Sequence, residues 1–260
     1  MAISRKHPAA LFAVLAVALG TTGAAYAVVS DKTAPKSVNA ATSATQVQEG
    51  KQLFQEGCSS CHGTGAQGTS DGPSLIGVGA AAVDFQVGSG RMPMNGPGIQ
   101  AVSRDPQYTE DEIAALAAYV ASLGAGPAIP SDEAVDSTGA DLAMGGELFR
   151  TNCSQCHNVA GKGGALSEGR FAPSLMTAEP KEIYEAMITG PQNMPVFSDK
   201  TITPEEKKAI IAYIEDLQAQ SSPGGAGLGR LGPVTEGLFI FLFGLGGLAI
   251  VAVWIGAKAK

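Results

Sequence analysis

All four cysteines of the chain stand in two pentapeptides, Cys58-Ser59-Ser60-Cys61-His62 and Cys153-Ser154-Gln155-Cys156-His157, and two of its three histidines complete them. Two thiols three positions apart, followed at once by an imidazole, form the attachment signal for c-type haem. The thiols can make thioethers to the two vinyl groups, and the imidazole that follows points at the iron. Other chemistries use the same residue types less well. A structural zinc site pairs its histidines with each other and not with the cysteines. A redox Cys-x-x-Cys pair needs no histidine behind it. A disulfide framework would leave the repeated histidine unexplained. Two covalently bound haem c groups are therefore expected, on Cys58 and Cys61 and on Cys153 and Cys156, with His62 and His157 as axial ligands.

A sixth iron ligand has to come from elsewhere, and methionine is one standard choice that raises the potential. Met92-Pro93 stands 30 residues after His62, and Met194-Pro195 stands 37 after His157. A bare methionine is usually core packing. Both of these lie in Gly- and Pro-rich loops, which favours ligation. The trailing proline restricts the residue before it to extended geometry, suiting a loop that must hold a sulfur in place. In the first copy Met94 competes with Met92. The repeat favours Met92, because Gly88-x-x-x-Met92-Pro93 matches Gly190-x-x-x-Met194-Pro195, whereas Met94 precedes the turn signal Asn95-Gly96. Met187 lies on a helical stretch and reads as packing, Met144 and Met176 have no counterpart in the other copy, and His7 is at the wrong end.

These residues must be positioned by a duplicated element set. Gly50-Lys51-Gln52-Leu53-Phe54 precedes the first motif and Gly145-Gly146-Glu147-Leu148-Phe149 the second; Pro73-Ser74-Leu75 then matches Pro173-Ser174-Leu175. Each copy closes with a helix. Thr109-Glu110-Asp111-Glu112 and Thr203-Pro204-Glu205-Glu206 read as capping boxes, the second with proline at the first helical position. Ile113, Leu116, Ala117 and Val120, and then Ile210, Ile211, Ile214 and Leu217, recur at helical spacing, with Tyr119 and Tyr213 at equivalent places. The expected organisation is an N-terminal signal or anchor over 1–30, haem domains over 46–124 and 141–219, a linker over 125–140 rich in Gly, Pro and acids, and a Gly/Ser/Pro tether over 220–233. A transmembrane helix follows over 234–257. Domains this small and poor in aromatics are marginal on their own cores, and two porphyrins would supply the missing apolar mass.

The net charge of −7 argues against a nucleic-acid binder. Residues 31–220 hold 23 acids against 12 bases, and the other bases sit almost entirely beside the apolar ends. Arg5, Lys6 and His7 precede an uncharged stretch from Pro8 to Ser30. Its Ala25 and Ala27 suit a signal cleavage site, while its length also suits a retained anchor. Gly237 to Ala257 is 21 uncharged residues, enough to cross a bilayer. Lys258 and Lys260 after this span, with Arg5 and Lys6 before the first, place the ends in the cytoplasm and the haem domains on the extracytoplasmic side of the cell membrane.

A mostly α chain of two tandem class I cytochrome c domains, an N-terminal apolar segment and a C-terminal membrane helix resembles the dihaem cytochrome c (cytochrome cc) subunit of actinobacterial-type cytochrome bc complexes. The discriminating feature is the two-domain order followed by a C-terminal span, and the resemblance covers essentially the whole chain. It implies a subunit of a menaquinol-oxidising reductase that sits beside Rieske and cytochrome b subunits. Electrons would pass from the Rieske centre to an aa3-type oxidase, with no substrate chemistry on the subunit itself. Cys58, Cys61, Cys153 and Cys156 would carry the haems, and His62, Met92, His157 and Met194 would ligate iron. A dihaem subunit of a cbb3-type oxidase has similar domains but anchors mainly at its N-terminus. A dihaem peroxidase needs one open iron, against which the matched Met-Pro loops count. A dihaem partner of a periplasmic dehydrogenase stays open.

Overall fold

The computed structural model describes residues 12–23, 44–220, 227–230 and 233–258. The chain divides into two units, 1–41 and 42–260. In the first, one apolar helix, α1, spans Phe12–Gly23. The positions on which signal and anchor differ, including Ala25 and Ala27, lie outside the described residues.

The second unit opens with α2 (Ala44–Gly57), the single turn α3 (Ser59–His62), α4 (Ala80–Gly88) and α5 (Glu110–Ser122). After the short α6 (Asp132–Val135) the pattern repeats as α7 (Leu142–Asn152), α8 (Ser154–His157), α9 (Pro180–Thr189) and α10 (Pro204–Ala219). A two-stranded antiparallel hairpin, β1 (Gly164–Ala165) with β2 (Phe171–Ala172), lies between α8 and α9. Both expected capping boxes form: Thr109 and Glu112 exchange bonds at the start of α5, and Thr203 and Glu206 do so at the start of α10. Each satisfies two of the N–H groups that a helix start leaves without partners.

In each repeat the first helix crosses the last. The crossing is close because glycine stands at the contact: a Cβ on Gly50 would overlap the Ala115 carbonyl, and one on Gly145 the Ala209 carbonyl. One turn further on, Phe54 and Phe149 are fully buried against Tyr119 and Tyr213, with ring centroids 5.3 and 5.4 Å apart. Tilted aromatic pairs at this separation add roughly 0.5–1.5 kcal/mol beyond their burial. The first core gathers Phe54, Val83, Val87, Leu116 and Val120; the second gathers Phe149, Ile183, Met187, Ile210, Ile211 and Ile214.

The stretch between the repeats is more than a solvated spacer. The Pro127 carbonyl accepts from Ala81 N, Ile129 packs on the first core, and Ala134 and Val135 pack on the second. Of the tether, Arg230 is fastened to the second repeat by a 2.6 Å bond to the Leu217 carbonyl, and 221–226 lie outside the described residues. The chain then runs into an apolar helix, Val234–Lys258, made of α11 (Pro233–Phe239), a π-helical stretch Ile240–Leu245 and α12 (Gly246–Lys258). Its 25 residues could cross a membrane.

Candidate metal centres

The two pentapeptides fold alike. Cys58 N donates to Phe54 O and Cys153 N to Phe149 O, so each motif leaves the first helix of its repeat directly. One further helical turn delivers the histidine. His62 Nδ1 lies 2.8 Å from the Pro73 carbonyl, and His157 Nδ1 lies 2.9 Å from the Pro173 carbonyl. A carbonyl only accepts, so Nδ1 must carry the proton in both rings, and Nε2 presents its lone pair. This outer bond fixes tautomer and ring orientation, as a metal-ligating histidine requires. The Pro-Ser-Leu triplet is held in turn: Leu75 N donates to Ala66 O and Leu175 N to Gly161 O.

The first thiol of each motif is shifted away from the range of a redox nucleophile. Burial, with the neighbouring Cys61 adding to it, pushes the Cys58 thiol up to about 11, and burial with Cys156 does the same at Cys153. A reactive Cys-x-x-Cys needs the opposite shift. All four cysteines are free of disulfides, and among the described residues no group of three or more His, Cys, Asp or Glu could hold a metal ion. Burial also lowers the pKa of His157, opposed by its bond to Pro173, which favours the neutral ligating imidazole.

Met92 and Cys58 both pack against the first core, and Met194 and Cys153 both pack against the second. Met94 joins neither core; its methyl lies over Gly98. The two methionines thus differ in packing: Met92 is part of the first core's surroundings and Met94 is not. Met187 is buried on α9 within the second core, as its helical position predicts. One detail of the repeat alignment is corrected. Gly190 closes α9 at a φ of 60°, but Gly88 has no such role, and Gly90 carries the positive φ, 65°. A Cβ on Gly90 would also overlap the Arg104 carbonyl. The turn before Met92 is therefore made two residues later than the matched spacing implies.

A mainly apolar cavity, partly open to solvent, lies in the second repeat. Cys153, Cys156, His157, Met194, Phe149 and Ile210 are among its walls. The fixed imidazole, both thiols and the methionine thus converge on one apolar space, and the residues fit a haem. Part of the wall belongs to the first repeat: Phe85, Arg91 and Gln100 to Ser103. Sequence reasoning missed this contribution, and only the adjacency of Arg91 to Met92 hinted at it.

The shared wall is held by a reciprocal pair of amides. Gln100 donates to Phe171 O at 2.6 Å and accepts from Phe171 N at 2.9 Å. Gln192 donates to Ala101 O at 3.0 Å and accepts from Ala101 N at 3.1 Å. Beside them α4 packs on α9, with Lys181 2.5 Å from Asp84. Glu185, 1% exposed, faces the same Asp84. Burial first, then the Asp84 charge, pushes the Glu185 carboxyl up to about 9, so it is protonated at neutral pH.

Residues 47–124 match the family described as "Cytochrome c", and residues 140–214 match "Cytochrome C oxidase, cbb3-type, subunit III". Three relatives carry the name "Cytochrome bc1 complex cytochrome c subunit". That of Corynebacterium efficiens is 49% identical, over 82% of this chain and 77% of its own. That of Corynebacterium diphtheriae is 47% identical over 94% and 93%, and that of Mycobacterium leprae 45% over 94% and 86%. The chain belongs to the family of cytochrome bc1 complex cytochrome c subunits, with two cytochrome c domains and a C-terminal apolar helix, and its domains imply covalently bound haem c.

Proposed function

We propose that this member of the family is the dihaem cytochrome c subunit of a quinol-oxidising bc complex, taking electrons from the Rieske centre and delivering them to an aa3-type oxidase. The observation that carries the proposal is the duplicated imidazole, each with Nδ1 tied to a proline carbonyl and each directly following a pair of cysteines free of disulfides. Cys58 and Cys61 would hold one haem and Cys153 and Cys156 the other; His62 with Met92, and His157 with Met194, would ligate the two irons. A bound haem c supplies a one-electron iron couple, with no substrate bond made or broken.

What the chain contributes is placement and environment. The Pro73 and Pro173 carbonyls aim the imidazoles, thioether sulfurs favour the reduced state, and the apolar walls exclude water. The C-terminal helix anchors the subunit, and Lys258, stacked 4.6 Å from the Trp254 ring, marks its cytoplasmic end. The haem domains then lie outside, beside the Rieske and cytochrome b subunits. The subunit belongs to an oxidoreductase without breaking substrate bonds itself.

A second reading, as the dihaem subunit of a cbb3-type oxidase, has the family match of residues 140–214 in its favour; the C-terminal position of the long apolar helix and the names of the relatives weigh against it. Purification of the tagged full chain from membranes in mild detergent distinguishes them. Rieske, cytochrome b and aa3 oxidase subunits are expected to co-purify, and quinol should reduce the bound haem. Co-purification with a cbb3 catalytic subunit or a dehydrogenase in their place would overturn the proposal.

A further inference from the structure

Three charged side chains line the cavity of the second domain: Arg170, Glu182 and Arg91. Two are already engaged. Arg170 lies 3.4 Å from Glu168, and Glu182 closes the capping box of α9 by accepting from Glu179 N at 3.2 Å. Arg91 comes from the other domain, and among the described residues no carboxylate lies within ion-pair distance of it. Its guanidinium sits 4.7 Å over the ring of Phe85, which lines the same cavity. The loop that carries it is tied to α4 by Met92 N donating to Gln86 O at 2.8 Å. Glu182 is the acid that faces it, at longer range.

A guanidinium keeps its charge at any ordinary pH, and its planar fork matches a carboxylate. Held half-buried in an apolar wall without a close acid, it needs an anion to offset the cost of leaving water. The anionic substituents of a haem are its carboxylates. We infer that Arg91 of the first domain completes the haem site of the second, holding positive charge against the carboxylate substituents of that ring and raising its potential. The same loop thus supplies Met92 to the first centre and Arg91 to the second. Positive charge beside a centre favours the form that has gained an electron, so losing it favours the ferric state.

The inference rests on the reading that the second domain carries a covalent haem, and the test separates the two. The full-length protein in detergent is titrated spectroelectrochemically as wild type, Arg91→Gln and Arg91→Lys, with the haems assigned in a Met194→Leu background and covalent haem counted in every sample. Arg91→Gln should lower the second haem's potential by the equivalent of a roughly tenfold change in its reduction equilibrium, ~59 mV for one electron. The first haem should move far less, and Arg91→Lys should recover most of the loss. Glu182→Gln, which keeps an acceptor for the cap but removes the opposing charge, should move the second haem the other way. Absence of covalent haem from the wild-type second domain would defeat the underlying reading. Two haems with an unmoved second potential in both Arg91→Gln and Glu182→Gln, or a shift confined to the first haem, would overturn the role of Arg91.

Discussion

The two haem domains share a plan and differ in how they are finished. Both cross their first and last helices over a glycine, bury a phenylalanine against a tyrosine, and hang an imidazole from a proline carbonyl. At the fourth position after the capping threonine, however, the first domain buries Ile113 and the second buries Lys207, 0% exposed, bonded to Asp199 at 2.7 Å and to the Ile202 carbonyl. Between histidine and proline the second domain is five residues longer, and this longer segment forms the β1–β2 hairpin and reaches the first domain through Phe171 and Gln100. The first domain lends a wall to the cavity of the second. The second domain takes part of its site from its neighbour. The features that conserve the ligand geometry lie in the common plan; those that join the centres lie in the differences.

The largest effect should come from the crossing glycines. Gly50→Val and Gly145→Val each force a branched side chain into a partner carbonyl and should cost about 3 kcal/mol or more, enough to unfold a small domain. Thermal melts followed at each haem should show loss of one domain at a time. Because the second site borrows its wall, Gly50→Val should also broaden the second haem's spectrum, while Gly145→Val should leave the first nearly unaltered. Equal damage in both directions would break the asymmetry.

Ligand loss comes next. Met92→Leu and Met194→Leu should each remove the methionine–iron charge-transfer band of one haem and lower its potential on the order of 100 mV. Met94→Leu should change neither. A spectrum altered by Met94→Leu and untouched by Met92→Leu would reassign the ligand.

The domain boundary should respond to pH through Glu185. Its folded pKa, about 9, lies above the ordinary carboxyl value of 4.5, so the folded protein holds a proton that the unfolded chain releases. Stability from this group is fully present below about pH 4.5 and is lost as pH rises toward 9. Asp84, Lys181 and Glu182 share its surroundings. Protection factors of amides in α4 and α9, which remove the intrinsic base-catalysed rise, should fall between pH 6 and 9 in the wild type, and Glu185→Gln should flatten that slope. An unchanged slope would show that Glu185 does not set it.

The smallest effect concerns Lys207. Asp199 is largely exposed, so solvent screens part of the pair, and Asp199→Ala should cost the second domain about 1–2 kcal/mol by leaving the buried ammonium with fewer partners. Lys207→Ile, which copies the first domain, should be within about 1 kcal/mol of wild type in chemical denaturation. A large loss in Lys207→Ile would mean that the ion pair is required for the fold.

Much of this architecture was legible because it is written in short-range patterns. The thiol–thiol–imidazole spacing, the Thr-to-Glu capping boxes and the Phe54/Phe149 and Tyr119/Tyr213 matches depend on residues a few positions apart. The hairpin was not legible, since its strands are two residues each and show no alternation. The amide clamps of Gln100 and Gln192 join residues 71 and 91 positions apart, and no local periodicity announces them. Gly90 is not distinguished from Gly88 by sequence, because spacing to Met92 carries no information on backbone φ. The linker looked solvated by composition, yet a few apolar residues, Ile129, Ala134 and Val135, suffice to dock it.

Covalent haem counting tests the central claim most directly. Purified full-length protein, extracted with acid–acetone and assayed as the pyridine haemochrome, should retain two haems per chain. Cys58→Ala/Cys61→Ala and Cys153→Ala/Cys156→Ala should each retain one. Complete extraction of haem from the wild type, or retention of two haems by either double variant, would contradict the account.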